Sequence, residues 1–168
     1  GFFALFPKQD QKHVMNLLND VDNFLHSYLR GQMALCFWMI LLYTAVLNIL
    51  QIDFPFLLGL ISGLVIIIPF VGTIFSVSLA LLITYLSYGI SSKLLYVAIC
   101  YLIFNILENY VLTPKLLGHQ IGIHPVLTLT AVFIAANIGG LMAVAFAIPL
   151  VGILQILLLR MTRFYKNS

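Results

Sequence analysis

The chain has 168 residues, 62% of them hydrophobic and 8% charged, with a formal net charge of +3. An ordinary soluble domain is roughly 25% charged, so this composition leaves too little polar surface to cover a water-soluble fold and excludes that class. The runs Gly31 to Ile52, Phe54 to Ser92 and Leu116 to Leu159 contain no Asp, Glu, Lys or Arg, and about 20 residues suffice for a membrane span.

These runs predict an all-α, polytopic helical membrane protein. About six membrane-embedded helices, some short or broken, follow one amphipathic helix. Gly1 to Phe6 has neither a basic region nor the length of a signal peptide and reads as the end of an earlier span, residues 1–6. Residues 7–32 then form an amphipathic helix. Val14, Leu18, Val21, Leu25 and Tyr28 make its apolar stripe, widened by Leu17, Phe24 and Leu29. The opposite face carries Lys12, His13, Asn16, Asn19, Asp20, Asp22, Asn23 and His26, with both histidines read as solvated residues. Such a helix either lies in the membrane interface or packs by its apolar seam against a neighbouring segment or copy.

The transmembrane domain follows over residues 33–160, with a cytoplasmic tail at 161–168. Met33 to Ile52 is a full-length apolar helix closed by Asp53 and Pro55. Phe56 to Tyr88 is too long for one untilted span, and Pro69 and Gly72 divide it. Two short helices, Phe56 to Ile68 and Thr73 to Tyr88, are expected, with one long kinked helix as the alternative. Further spans are expected at 94–112, 126–138 and 141–159. The last two turn at Gly139 and Gly140, a turn that suits either two crossings or a re-entrant hairpin. Counting the break as a turn puts Lys8, Lys12, Arg30, Lys115, Arg160, Arg163 and Lys166 on one side and Lys93 alone on the other. The positive-inside rule favours that arrangement over the even division a single span would give, and it assigns both ends to the cytoplasm.

The stretch Asn105 to Pro125 concentrates the polar chemistry. Glu108 is the one carboxylate inside an apolar run, and Pro114, Gly118, Gly122, His119, His124 and Pro125 follow it. A carboxylate near the end of a membrane helix, followed by a broken connection, is how a polar site is built inside a bilayer. Glu108 is either a proton- or cation-binding group, with Asn109 and Asn105 supplying neutral dipoles near its face, or a structural carboxylate paired with Lys115 or capping a neighbouring helix. His124 is the second ion-binding candidate, its imidazole titrating near neutral pH, or else a residue hydrogen-bonded in the turn before Pro125. Pro69, Gly72, Pro114, Gly118, Pro125, Gly139, Gly140 and Pro149 are read as helix-break or hinge positions. Cys36 and Cys100 lie far apart in apolar runs and are expected to be inert thiols.

Ile68-Pro69-Phe70-Val71-Gly72 recurs as Ile148-Pro149-Leu150-Val151-Gly152, and Gly59 matches Gly139. Secondary transporters are often built from such repeats, with broken helices meeting at the substrate site; coincidence is the other reading, Ile, Val and Gly being common here. Leu29-Arg30-Gly31-Gln32, Ile68-Pro69-Phe70-Val71-Gly72 and Glu108-Asn109 followed by Pro114, Gly118 and Ile123-His124-Pro125 together resemble the autoinducer-2 exporter family of bacterial permeases, in order and spacing from about Pro7 to Leu159. Arg30, Gly31 and Gln32 are the family-motif residues at the end of the amphipathic helix. The resemblance implies a homo-oligomeric inner-membrane protein, with N-terminal spans outside this segment, that exports a small solute such as autoinducer-2. Some family members are described as sodium/proton antiporters. Thr73 stands where the family often has proline, and Asn105 where glutamine is usual.

No G-x-x-x-x-G-K-[ST], H-E-x-x-H or intramembrane aspartate pair occurs, and His119 and His124 are five apart, a spacing that does not put two ligands on one helix face. Catalysis, a metal and a cofactor are therefore not expected, H+ or Na+ being the coupling ion. The expected partners are the lipid bilayer, a small solute, the coupling ion and further copies of the chain, and no nucleic acid. The rival from another class is a non-transporting scaffold that docks through its amphipathic helix. A scaffold has no need of a carboxylate among its spans.

Overall fold

The computed structural model describes residues 8–117 and 125–166. Among them every regular element is helical: α1 (Lys8–Ile49), α2 (Pro55–Val65), α3 (Val71–Tyr88), α4 (Ser92–Leu107), a π-helical turn (Glu108–Leu112), α5 (Thr113–Leu116), α6 (Pro125–Ala145) and α7 (Ala147–Lys166). Three stretches are long and apolar enough to cross a membrane: Met15–Ile49, Val71–Tyr88 and Ser92–Leu116. Pro55–Val65, Leu129–Gly140 and Ala147–Leu157 are apolar but shorter.

The amphipathic helix and the first span are one element. α1 has 42 residues and runs unbroken through Arg30, Gly31 and Gln32, where a boundary was expected. The reason is local: no proline interrupts the segment, and a single glycine costs a helix only about 1 kcal/mol.

By their contacts the described residues fall into two compact units, those within 30–119 and those within 1–29 and 120–168. In the first, the C-terminal part of α1 buries Leu35, Cys36, Met39, Tyr43 and Leu47, while Met33, Phe37, Trp38, Leu41 and Ile49 stay exposed. The buried set follows helical spacing, and an exposed face this apolar suits lipid and not water. Helix α2 meets α1 through Gly59 and Gly63, one turn apart: a Cβ on Gly59 would collide with Thr44 and one on Gly63 with Ile40. Small residues at this spacing let membrane helices approach closely, and dispersion contacts replace the hydrophobic effect that is missing in lipid.

The division of Phe56 to Tyr88 is found where Pro69 and Gly72 foretold it. α2 ends at Val65 and α3 begins at Val71, with Phe70 at φ 62° between them. With 11 residues, α2 rises only about 16 Å, roughly half the hydrocarbon thickness.

In the second unit, Phe24 stacks on Tyr28 with centroids 6.3 Å apart. The Phe24 ring fills the space beside Gly152 of α7 that a side chain there would occupy. The expected glycine turn is present, with Gly140 at φ 61° and ψ −150°, a conformation that suits glycine and breaks the helix inside α6. α7 begins only at Ala147 and continues to Lys166, later at both ends than the predicted 141–159. Pro149 is its third residue, a position where no amide is needed. Both prolines of the sequence repeat thus stand at helix starts, Pro69 just before α3 and Pro149 inside the first turn of α7.

Candidate functional site

Proline forces the local geometry of the site. Pro114 cannot donate to the carbonyl four residues back, and its ring clashes with that carbonyl in a regular α-helix. The chain relieves both by widening one turn. Glu108–Leu112 is π-helical, and the Thr113 amide reaches back five residues to the Glu108 carbonyl. The helix then resumes through Leu116, so Pro114 does not end it as expected. Glu108 lies eight residues from the helix end, about 12 Å of rise, twice the depth expected from a span closing at Leu112. π-turns inside α-helices are frequently found at functional sites.

Glu108 is 9% exposed, and its Oε2 is buried without a protein hydrogen-bond partner. The structural reading of this residue fails in one respect: Lys115 is exposed and makes no ion pair with it. Of the two asparagines, Asn109 is turned elsewhere. Asn109 is exposed and donates from Nδ2 to the Asn105 carbonyl at 2.8 Å, which ties its side chain to its own helix, and Asn105 is half-buried. His124, Gly118 and also His119 and Gly122 lie outside the described residues. Pro125 opens α6.

Two side chains of α1 lie near enough to feel the charge of Glu108. Cys36 and Tyr43 lie within its electrostatic reach, and the Gln32 side chain is within hydrogen-bonding range of Cys36. Gln32, Cys36 and Tyr43 fall on one helical face at spacings of four and seven. Gly31 holds that face close, its Cα side resting against the Leu116 and Leu117 backbone. Of the family-motif trio, Arg30 is exposed, Gly31 is a packing contact, and Gln32 is half-buried beside Cys36.

Toward the middle of the span the same face of α4 carries Tyr101. Its ring stacks on Tyr43 at 4.5 Å, and Phe104 meets Tyr43 edge-on at 5.4 Å. The Tyr101 and Ser62 hydroxyls hydrogen-bond at 2.9 Å, and Ser76 donates to the Ser62 carbonyl at 3.2 Å. Ser62, Ser76 and Tyr101 are almost wholly buried. Buried hydroxyls in lipid need such partners, because no water is there to satisfy them. Hydrogen bonds therefore link Ser76, Ser62 and Tyr101 beside α1, and Tyr101 stands two turns from Glu108 on the same helical face. Sequence reasoning missed Tyr43, Tyr101, Ser62 and Ser76 and set Cys36 aside as inert. One available signal was the spacing of Val97, Tyr101, Phe104 and Glu108, which marks a single face of α4.

Apolar helices of crossing length, packed through glycines around a buried carboxylate, define an integral membrane protein of the helical class. Residues 1–163 match the family described as AI-2E family transporter. The chain belongs to that family, a family of membrane transport proteins. It is similar to "Putative transport protein YrrI" of Bacillus subtilis, 30% identical over 160 residues, which cover 95% of this chain and 44% of that protein. It is also similar to "Putative transport protein YueF" of the same organism, 21% identical over 96% of this chain and 43% of that protein. A third relative, "Putative transport protein sll0060" of Synechocystis, is 32% identical over 65% of this chain and 31% of its own length. The chain thus spans less than half the length of these relatives. No solved structure matches it.

Proposed function

We propose that the protein is a secondary transporter of the bacterial inner membrane, exporting a small solute by ion-coupled alternating access, with Glu108 as the group that binds the coupling ion. The observation that carries this reading is the Glu108 carboxylate, buried beside a π-turn with Oε2 unpartnered. An ionised group inside a membrane domain is costly, and one without a structural partner is retained for an ion or proton that comes and goes. Support also comes from the break between α2 and α3, since alternating access needs helices that can move as separate rods. A scaffold uses neither feature, and catalysis has no place in this reading.

The family description suggests autoinducer-2 as the solute, with H+ or Na+ as the coupling ion. The functional protein is a homo-oligomer with both ends of this segment in the cytoplasm.

The test is a flux assay on the full-length protein in sealed vesicles. Proton and sodium gradients are imposed in turn while internal pH and added autoinducer-2 are followed. Furanone movement that collapses with the ion gradient supports the reading. Gradient-driven pH change without furanone movement makes the protein a sodium/proton antiporter, and no flux of either kind contradicts the proposal.

A further inference from the structure

Between Arg30 and Glu108 the sequence has two charged residues, Asp53 and Lys93, forty positions apart. The fold brings both to one cluster. Lys93 Nζ donates to the Gln51 carbonyl at 2.9 Å and sits 3.7 Å from the centre of the Tyr88 ring. The Tyr88 hydroxyl reaches the same carbonyl at 2.7 Å and Asp53 Oδ1 at 3.1 Å, its single proton shared between them. The cluster thus ties the turn between α1 and α2 to the turn between α3 and α4. The tied turn is conformationally loaded, with Gln51 at φ 53° and Phe54 at φ 54°, left-handed backbone that residues with a side chain rarely adopt.

Position gives this cluster a meaning. Lys93 and Glu108 share one face of the helix from Ser92 to Leu116, with Val97, Tyr101 and Phe104 between them. Fifteen residues separate the two, about 22 Å of rise, so they stand toward opposite sides of a hydrocarbon layer about 30 Å thick. Val97 is fully buried one turn below Lys93, and the Ser62–Tyr101 hydroxyls follow one turn further on. The cluster of Tyr88, Lys93, Gln51 and Asp53 therefore stands two turns beyond the Ser62–Tyr101 hydroxyls, with the buried Val97 between them.

We propose that these four residues are the gate on the membrane face opposite Glu108, closed in this structure and opened by parting the two turns. The inference rests on the transport reading of Glu108 and adds the closure that alternating access requires. Its contacts suit a gate better than a permanent staple. They are solvent-exposed hydrogen bonds and a cation–π contact, individually weak and easily exchanged for water.

The experiment measures access to Val97, one turn beneath the cluster. Val97→Cys is made in the full-length protein, a membrane-impermeant thiol reagent is added to vesicles of each orientation, and the labelling of the same protein with Val97 kept is subtracted. A closed gate shields the new cysteine. Tyr88→Phe with Lys93→Met should raise the labelling rate about tenfold, the shift that ~1.4 kcal/mol produces, and from one side of the membrane only. Lys93→Arg, which keeps the donor and the cation, should keep the cysteine shielded. Equal, slow labelling in every variant overturns the gate, because the cluster is then a static staple. Faster labelling from both sides with a lower melting temperature also overturns it, because the helices have then merely loosened. Labelling needs no flux, so a failed transport assay with this pattern intact removes the transport reading, while normal coupled flux without the pattern removes the gate alone.

Discussion

Tyr43 of α1 stacks on Tyr101 of α4 with ring centroids 4.5 Å apart and planes at 26°. Tyr101 hydrogen-bonds to Ser62 on one side of the pair, and Tyr43 lies within electrostatic reach of Glu108 on the other. Both rings are fully buried. Tyr43→Ala removes the ring between them and leaves a cavity, so thermal unfolding of the purified protein should show a loss of about 3–5 kcal/mol. A melting temperature unchanged from the parent would mean the two rings are not packed as described.

The Ser62–Tyr101 hydrogen bond gives a non-additive prediction. Tyr101→Phe leaves the Ser62 hydroxyl without its partner in a dry site and should destabilise by about 1–3 kcal/mol. Ser62→Ala added to Tyr101→Phe should recover most of that loss, since both polar groups are then gone. Strictly additive destabilisation in a double-mutant cycle would show that the hydroxyls do not interact.

The close contact of α1 with α2 depends on Gly59 and Gly63. A Cβ at Gly63 would collide with the Ile40 backbone, where nothing can yield cheaply. Gly63→Val should therefore separate the helices and cost more than Gly63→Ala, itself worth about 1–3 kcal/mol of overpacking. Expression level and melting temperature should fall in that order, and equal behaviour of the three proteins would refute the packing.

Pro114 causes the π-turn and hence sets the orientation of Glu108. Pro114→Ala restores an amide that can bond four residues back, so the turn should tighten and rotate Glu108 away from Cys36 and Tyr43. The expected signature is coupled flux at least tenfold lower with unchanged or raised thermal stability. Loss of stability with intact flux would show that the proline serves only the fold.

How much of this was legible in the sequence differs from element to element. The helical membrane class follows from charge-free runs alone, and the break after α2 and the turn at Gly140 were foretold by proline and glycine, because those residues act locally. The unbroken course of α1 was hidden. Arg30-Gly31-Gln32 is polar enough to resemble a boundary, yet without a proline the helix simply continues, and Gly31 proves to be a packing contact with Leu116. The π-turn was hidden for another reason. Pro114 announces a disturbance, but ending the helix and widening one turn both relieve it, and packing against α1 chooses between them. Glu108 was visible as an isolated carboxylate. Its neighbours Cys36 and Tyr43 were not, since they lie more than sixty residues away on another helix and no periodicity within one element connects them.

The most direct test of the central claim is ion-coupled solute flux in proteoliposomes of the full-length protein carrying Glu108→Gln, alongside its melting temperature. The substitution keeps shape and hydrogen-bonding capacity while removing the group that takes up and releases the ion. A buried carboxylate without a partner stabilises nothing, so the fold should be as stable as the parent or more so. The account predicts a folded protein whose gradient-driven flux is abolished. Flux at the parental rate with unchanged ion dependence would contradict it.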